Sequence, residues 1–223
     1  MPARSPDSSA VAHATTRLPP RERRRILLDL AKRRQRPGTG SATSFLRRRT
    51  AVHPWPDLRP ILEGLRWAVI GGVATRAYMP ERTTFDLDIV VHPDDAEEAW
   101  RRLERAGFVP AGPLAIPGRI WTAPDGVEVD AVEGRYDWID EALASPAADE
   151  AGLPVIGLPY LVIMKMTSSR GVDLGDLTRM LGLASEDQLA LVRRALARHA
   201  PEDQEDLETL IYLGQQEFRE ADG

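Results

Sequence analysis

Apolar and polar positions change period several times along the chain, and each change marks an element. Residues 1–20 carry Ser, Ala, Pro and Thr with no apolar period, which predicts no packed structure. After Pro19-Pro20, Ile26, Leu27, Leu30 and Ala31 recur at helical spacing among basic residues. That predicts a short amphipathic basic helix ending near Pro37-Gly38. Residues 38–57 read as a linker. The body starts near Pro56 with a short helix over Leu58 to Leu65. Trp67-Ala68-Val69-Ile70 is an apolar run of strand length, broken by Gly71-Gly72. Val73, Ala74, Ala77 and Tyr78 then share one face of a brief helix. Phe85 to Val91 predicts a strand. Pro93-Asp94-Asp95 opens a helix with Asp94 as its N-cap, Ala96, Trp100 and Leu103 on one face, and Gly107 as its stop. Further strands are predicted from Phe108-Val109, over Ile120 to Thr122 and over Val127 to Asp130, the last two flanking the turn Pro124-Asp125-Gly126. From residue 135 the pattern is helical, over 136–144, 158–169, 174–183, 186–199 and 202–220. Ser185 and Gln188 are spaced as a capping box.

This order predicts an α+β fold, a mixed sheet with flanking helices and a helical C-terminal half. The expected divisions are a basic N-terminal tail over 1–55, a core over 56–150 and a helical region over 151–223.

Charge changes the picture of the tail. Residues 1–50 hold thirteen Lys/Arg against three Asp/Glu, and residues 51–223 hold 16 against 31. A net charge of +10 thus precedes a body of −15, an asymmetry that suggests a nucleic-acid contact or a solvated basic tail. There is no cysteine, so disulfides and thiolate metal sites are excluded. No apolar run reaches about 18 residues, and no membrane association is expected. A cytoplasmic location is the default expectation. His13, His53, His92 and His199 fall at no metal-binding spacing, and no P-loop, Rossmann or nucleophile-elbow motif occurs.

Asp86 and Asp88 stand two apart on a predicted strand, so both carboxylates leave one face. Side by side they repel, which is tolerable where a cation sits between them, and their hard oxygens suit Mg2+ or Mn2+. Asp130, at the end of another strand, completes a triad if the two strands are neighbours. Three carboxylates with substrate phosphates are the parts of a site with two metal ions for phosphoryl transfer. Gly71 and Gly72, between a strand and a helix, let backbone N–H groups approach a phosphate. Arg76 and Arg82 bracket this region and either neutralise phosphate charge or sit solvated at the surface. Trp121, beside the expected triad strand, is a candidate for base stacking.

IGGVATRAYMPERTTFDLDIVV resembles the Gly-Gly/Ser … Asp-x-Asp motif of DNA polymerase β-like nucleotidyltransferases, with thirteen residues between Gly72 and Asp86. Arg82-Thr83-x-x-Asp86-x-Asp88, with the later Lys165, Arg170, Asp173 and Asp176, is similar to the AbiEii-like branch, which includes toxins of toxin–antitoxin pairs. The likeness covers roughly residues 66–183. It implies a polymerase β-like fold and an NTP substrate. Asp86 and Asp88 would hold both metals, and Asp130 would hold the catalytic one and help deprotonate the acceptor. Gly71 and Gly72 would touch the triphosphate through backbone, and Lys165 would touch its phosphates. Many members carry Ser where Gly72 stands, so a hydroxyl donor is missing here. Arg170, Asp173 and Asp176 read either as supporting site residues or as a salt-bridge set between helices. Lys165 can alternatively snorkel to the surface. The acceptor could be RNA such as a tRNA end, met by the basic tail in a toxin with a cognate antitoxin protein, or a cationic aminoglycoside-type molecule. A non-catalytic nucleotide- or RNA-binding protein is the third reading.

Overall fold

The computed structural model describes residues 18–34, 55–80, 84–149 and 151–218. Strands β1 (Trp67–Val69), β2 (Asp86–Val91), β3 (Val109–Pro113), β4 (Gly118–Thr122), β5 (Glu128–Glu133), β6 (Ala147–Ala148) and β7 (Pro154–Val155) form a mixed sheet in the order β3-β4-β5-β2-β1-β7-β6. β2 runs parallel to β5 and β1 parallel to β7, and the remaining pairs are antiparallel. The helices are α1 (Pro20–Arg34), α2 (Gly71–Ala74), α3 (Ala96–Arg105), α4 (Ile139–Ala144), α5 (Leu158–Ser168), α6 (Gly171–Leu183), α7 (Glu186–His199) and α8 (Gln204–Phe218). The fold is therefore α+β with a helical C-terminal half, as the residue pattern predicts. β7 joins the sheet from beyond residue 150.

The period of two sorts β2 and β5 cleanly. Leu87, Ile89, Val91, Val129 and Ala131 point to one face and are buried there. Helix α3 covers that face, with Trp100 6.0 Å from Trp121 between ring centroids. Each fully buried aliphatic side chain of this kind stabilises the fold by about 1.5–3 kcal/mol. Trp121 is opposite Val129 in the β4–β5 ladder and is fully buried. It thus lies on the face away from Asp130, and of its two readings, base stacking or core packing, the structure shows core packing.

Two local expectations change. Leu58 to Leu65 forms turns, not a helix. Leu58 and Leu62 are still buried and joined by one Leu62 N–H to Leu58 carbonyl bond of 2.8 Å, and Gly64 turns the chain at φ +76°. The cap of the helix after His92 is His92 itself, whose Nδ1 accepts from the Asp94 N–H at 3.2 Å, in place of Asp94. The Ser185–Gln188 capping box is present, with both reciprocal bonds formed. Helices α6 and α8 pack closely because Gly182 faces Gly214: a Cβ on Gly182 would lie 2.5 Å from the Gly214 carbonyl oxygen.

Helix α1 lies against α8 and α5. Its docked side is formed by Arg24 and Leu28, while Ile26, Leu27 and Leu30 are 49%, 39% and 45% exposed. The apolar stripe that predicts the helix is thus not the stripe that docks it. An arginine makes the principal polar attachment.

Candidate active site

The parallel register of β2 and β5 places Asp88 opposite Asp130 and Asp86 opposite Glu128. All four residues share one face because they occupy alternate positions. Asp86, Asp88 and Asp130 each offer an oxygen within 4.8 Å of the others. At an effective dielectric of about 20, each such pair repels by on the order of 3 kcal/mol. The arrangement has the donor set and spacing for a hard divalent cation. Asp130 Oδ1 fits the same role: it is buried and has no hydrogen-bond partner among the described residues.

Burial, with the charges of Asp86 and Asp130, pushes the Asp88 carboxyl up to about 6, against the pull of the Gly72 N–H and Arg170. Burial, then Glu128 and Asp86, raises Asp130 as well. Asp86 accepts a 2.6 Å bond from Thr84 Oγ1, which is mostly buried. Thr84 is a site residue that the motif reading missed. The signal was its spacing: two residues before Asp86, it falls on the carboxylate side of the strand.

The chain leaves β1 through Ile70, whose N–H donates to the Asp88 carbonyl at 2.9 Å. Gly71 follows at φ +64°, and a Cβ there would lie 1.9 Å from Asp88 Oδ2. Glycine is required by both the backbone conformation and this contact. Gly71 therefore makes room for a carboxylate, and the nearby Gly72 N–H favours its charged form.

The expected cations divide into two groups. Arg76 is paired with the Asp149 carboxylate. Arg82 lies outside the described residues. Lys165 is 3% exposed, with Nζ 3.2 Å from Asp173 Oδ1 and 2.7 Å from Asp176 Oδ2. In this geometry Lys165 joins α5 to α6 and is held by carboxylates. Arg170, just before α6, donates through Nε to Asp173 Oδ2 at 2.9 Å. Its side chain is 67% exposed and lies within electrostatic range of Asp88 and Asp86. Burial alone would raise Asp173, but bonds from Arg170 and Ser168 and the charge of Lys165 hold it down at about 2. Lys165, Arg170, Asp173 and Asp176 form one network.

No family model matches the chain, and no curated protein matches it. Solved structures do align with it. The Thermotoga maritima protein TM1012, described as a nucleotidyltransferase, is 16% identical, covers 56% of this chain and 89% of its own, and gives a TM-score of 0.38. ANT(2'')-Ia, solved with adenylyl-2''-tobramycin, is 19% identical over 69% of this chain and 89% of its own, at 0.36. The Cid1 poly(U) polymerase is 12% identical over 82% of this chain and 48% of its own, at 0.29. No described helix is long and apolar enough to cross a membrane.

Proposed function

We propose that the protein is a metal-dependent nucleotidyltransferase, moving a nucleoside monophosphate from an NTP to an acceptor hydroxyl. The carrying observation is the Asp88–Asp130 register, which gathers three carboxylates within 4.8 Å, with one Asp130 oxygen that has no hydrogen-bond partner among the described residues. Asp86 and Asp88 would hold two Mg2+ or Mn2+ ions, with Asp130 a ligand on the acceptor side. Such ions neutralise phosphate charge and act as Lewis acids. The acceptor oxygen attacks the α-phosphorus. The new O–Pα bond forms as the bond from Pα to the bridging oxygen breaks, and pyrophosphate leaves. The hydroxyl proton would pass to Asp130, the triad carboxylate with an oxygen free of hydrogen-bond partners among the described residues. Gly71 and Gly72 would line the triphosphate side, and Arg170, within electrostatic range of Asp88 and Asp86, would meet it. Lys165 and Arg76 would act through the carboxylates that hold them, Asp173 and Asp176 for the first and Asp149 for the second.

For the acceptor, the placement of α1 favours RNA such as a tRNA end. Arg23 and Arg25 are exposed, and Arg23 reaches Ser169, next to Arg170. Contacts of this kind weaken with salt. A toxin role in the AbiEii-like manner, with a cognate antitoxin, accompanies this reading. A cationic small-molecule acceptor is the second reading, favoured by exposed Glu128 beside Asp130. The test is incubation of the full chain with α-labelled NTPs, Mg2+ and either total RNA or an aminoglycoside. Label in RNA supports the first acceptor, and label confined to the aminoglycoside supports the second. Label in neither acceptor, with every NTP, sinks the proposal.

A further inference from the structure

The basic helix α1 meets the body at one buried side chain. Arg24 is 1% exposed although it carries a full charge. Its Nε donates to Asp206 Oδ2 at 2.7 Å and its Nη2 to Asp203 Oδ1 at 2.5 Å, both from the α8 side. Its Nη1 donates to the Met166 carbonyl and, at 3.0 Å, to Ser169 Oγ. The neighbouring Arg23 donates to the Ser169 carbonyl at 3.1 Å. Two consecutive residues of α1 thus converge on one serine 145 and 146 positions away.

Ser169 has unusual geometry. It is fully buried and holds φ +49°, the one described non-glycine residue at positive φ. Such a conformation persists where the surroundings over-determine it. It ends α5 by bonding back to the Lys165 carbonyl at 3.0 Å, and the next residue is Arg170. The direction in which Arg170 leaves α5 therefore depends on the Ser169 turn, and α1 holds that turn from outside through Arg24 and Arg23.

The geometry points to Arg24 as a positioning residue for the nucleotide site, acting through the Ser169 turn on Arg170, so that α1 is a built-in brace of the catalytic unit. This rests on the nucleotidyltransferase reading for what Arg170 does, and on the hydrogen bonds alone for what Arg24 holds. It gives α1 a task separate from any contact with an acceptor.

The experiment uses the full chain as wild type, Arg24→Met, Arg24→Lys, Arg170→Met and the double variant Arg24→Met/Arg170→Met. Folding is expected to survive, since Asp203 and Asp206 keep Arg21 at 3.0 Å and Arg25 at 3.6 Å. Arg193→Met, which breaks the exposed pair with Glu208 on α8, controls for loss of an ion pair elsewhere. Two readouts are taken: amide hydrogen exchange over residues 166–173, and binding of each of the four Mg2+–NTPs. Arg24→Met should speed exchange over 166–173 while the β2 and β5 amides keep their protection. It should also weaken the preferred NTP by about 10-fold, the scale of one charged hydrogen bond. Arg24→Lys should fall between the two, because one ammonium cannot span both aspartates and Ser169. In the Arg170→Met background, Arg24→Met should change affinity less than about twofold, as coupled positions do. Unchanged exchange in Arg24→Met overturns the brace. Faster exchange with unchanged NTP affinity, where Arg170→Met alone weakens it, overturns the link to the site. A wild-type chain that binds no NTP overturns the nucleotidyltransferase reading and this role with it, and the exchange data then still decide whether Arg24 holds the turn.

Discussion

Replacing Asp88 with Asn should make the metal-free protein more stable and the metal-loaded protein less so. The Asp88 carboxyl is raised from 3.8 to about 6 by burial and by the charges of Asp86 and Asp130. A shift of about two units corresponds to ~3 kcal/mol of differential interaction between the two protonation states. Because the folded pKa lies above the unfolded one, the folded state binds more protons between these values. The penalty for ionised Asp88 is therefore absent below about pH 4, grows as pH rises and is complete above about pH 6. Asn keeps an acceptor for the Gly72 N–H and removes the charge. At pH 7.5, without divalent ions, Asp88→Asn should gain about 1–3 kcal/mol, or roughly 3–8 °C in Tm for a chain of this size. The gain should shrink to nothing near pH 4. Saturating Mg2+ or Mn2+ reverses the order, since ligand binding to the folded state stabilises wild type by RT ln(1 + [L]/Kd). The assay is thermal unfolding of both proteins in EDTA and in metal, from pH 4 to 8. If Asp88→Asn is equally stable or less stable in EDTA at pH 7.5, the triad is not held as a repelling cluster. If metal raises both Tm values alike, the triad is not the metal site.

Other side chains give sharper local tests. Gly71→Ala should weaken metal binding at least 10-fold and cost about 2 kcal/mol or more in stability, since its Cβ would lie 1.9 Å from Asp88 Oδ2 at a positive φ; titration of Mn2+ with thermal melts checks both. Lys165→Met should lower stability by about 3–5 kcal/mol by leaving buried carboxylates without their shared ammonium. Arg170→Met, at an exposed site, should lower stability far less and NTP affinity more, and the reverse ranking would favour Lys165 as the phosphate contact. Thr84→Val removes a 2.6 Å donor to Asp86 and should reduce metal affinity by about 3–10-fold, with little change in Tm.

The carboxylates were legible because a strand has a period of two. Asp86 and Asp88 had to share a face, and the alternating burial of Leu87 and Ile89 agrees. Asp130 could be nominated from its strand, but its pairing with β2 depends on a parallel crossover that no local pattern specifies. The two-residue strand β6 and its partner β7 were missed, since so few residues show no period. The sequence resemblance implies a helix around Lys165 and a direct phosphate contact for it. Its buried partners, eight and eleven residues on, make it a linker between helices in the structure. Arg24 was the least legible residue. A basic residue in a basic segment looks solvated, and only the tertiary meeting with Asp203, Asp206 and Ser169 shows that it is buried. At Gly71 the sequence suggests phosphate approach, while the structure shows the glycine making room for Asp88.

The most direct test compares the fate of two labels. The chain is incubated with Mg2+, acceptor RNA and each NTP labelled either at the α- or at the γ-phosphorus, in parallel with Asp130→Asn. Nucleotidyl transfer at the triad predicts α-label covalently attached to the acceptor, γ-label released in pyrophosphate, and loss of both in Asp130→Asn. Transfer of γ-label to the acceptor, or α-label transfer that persists in Asp130→Asn, contradicts the account.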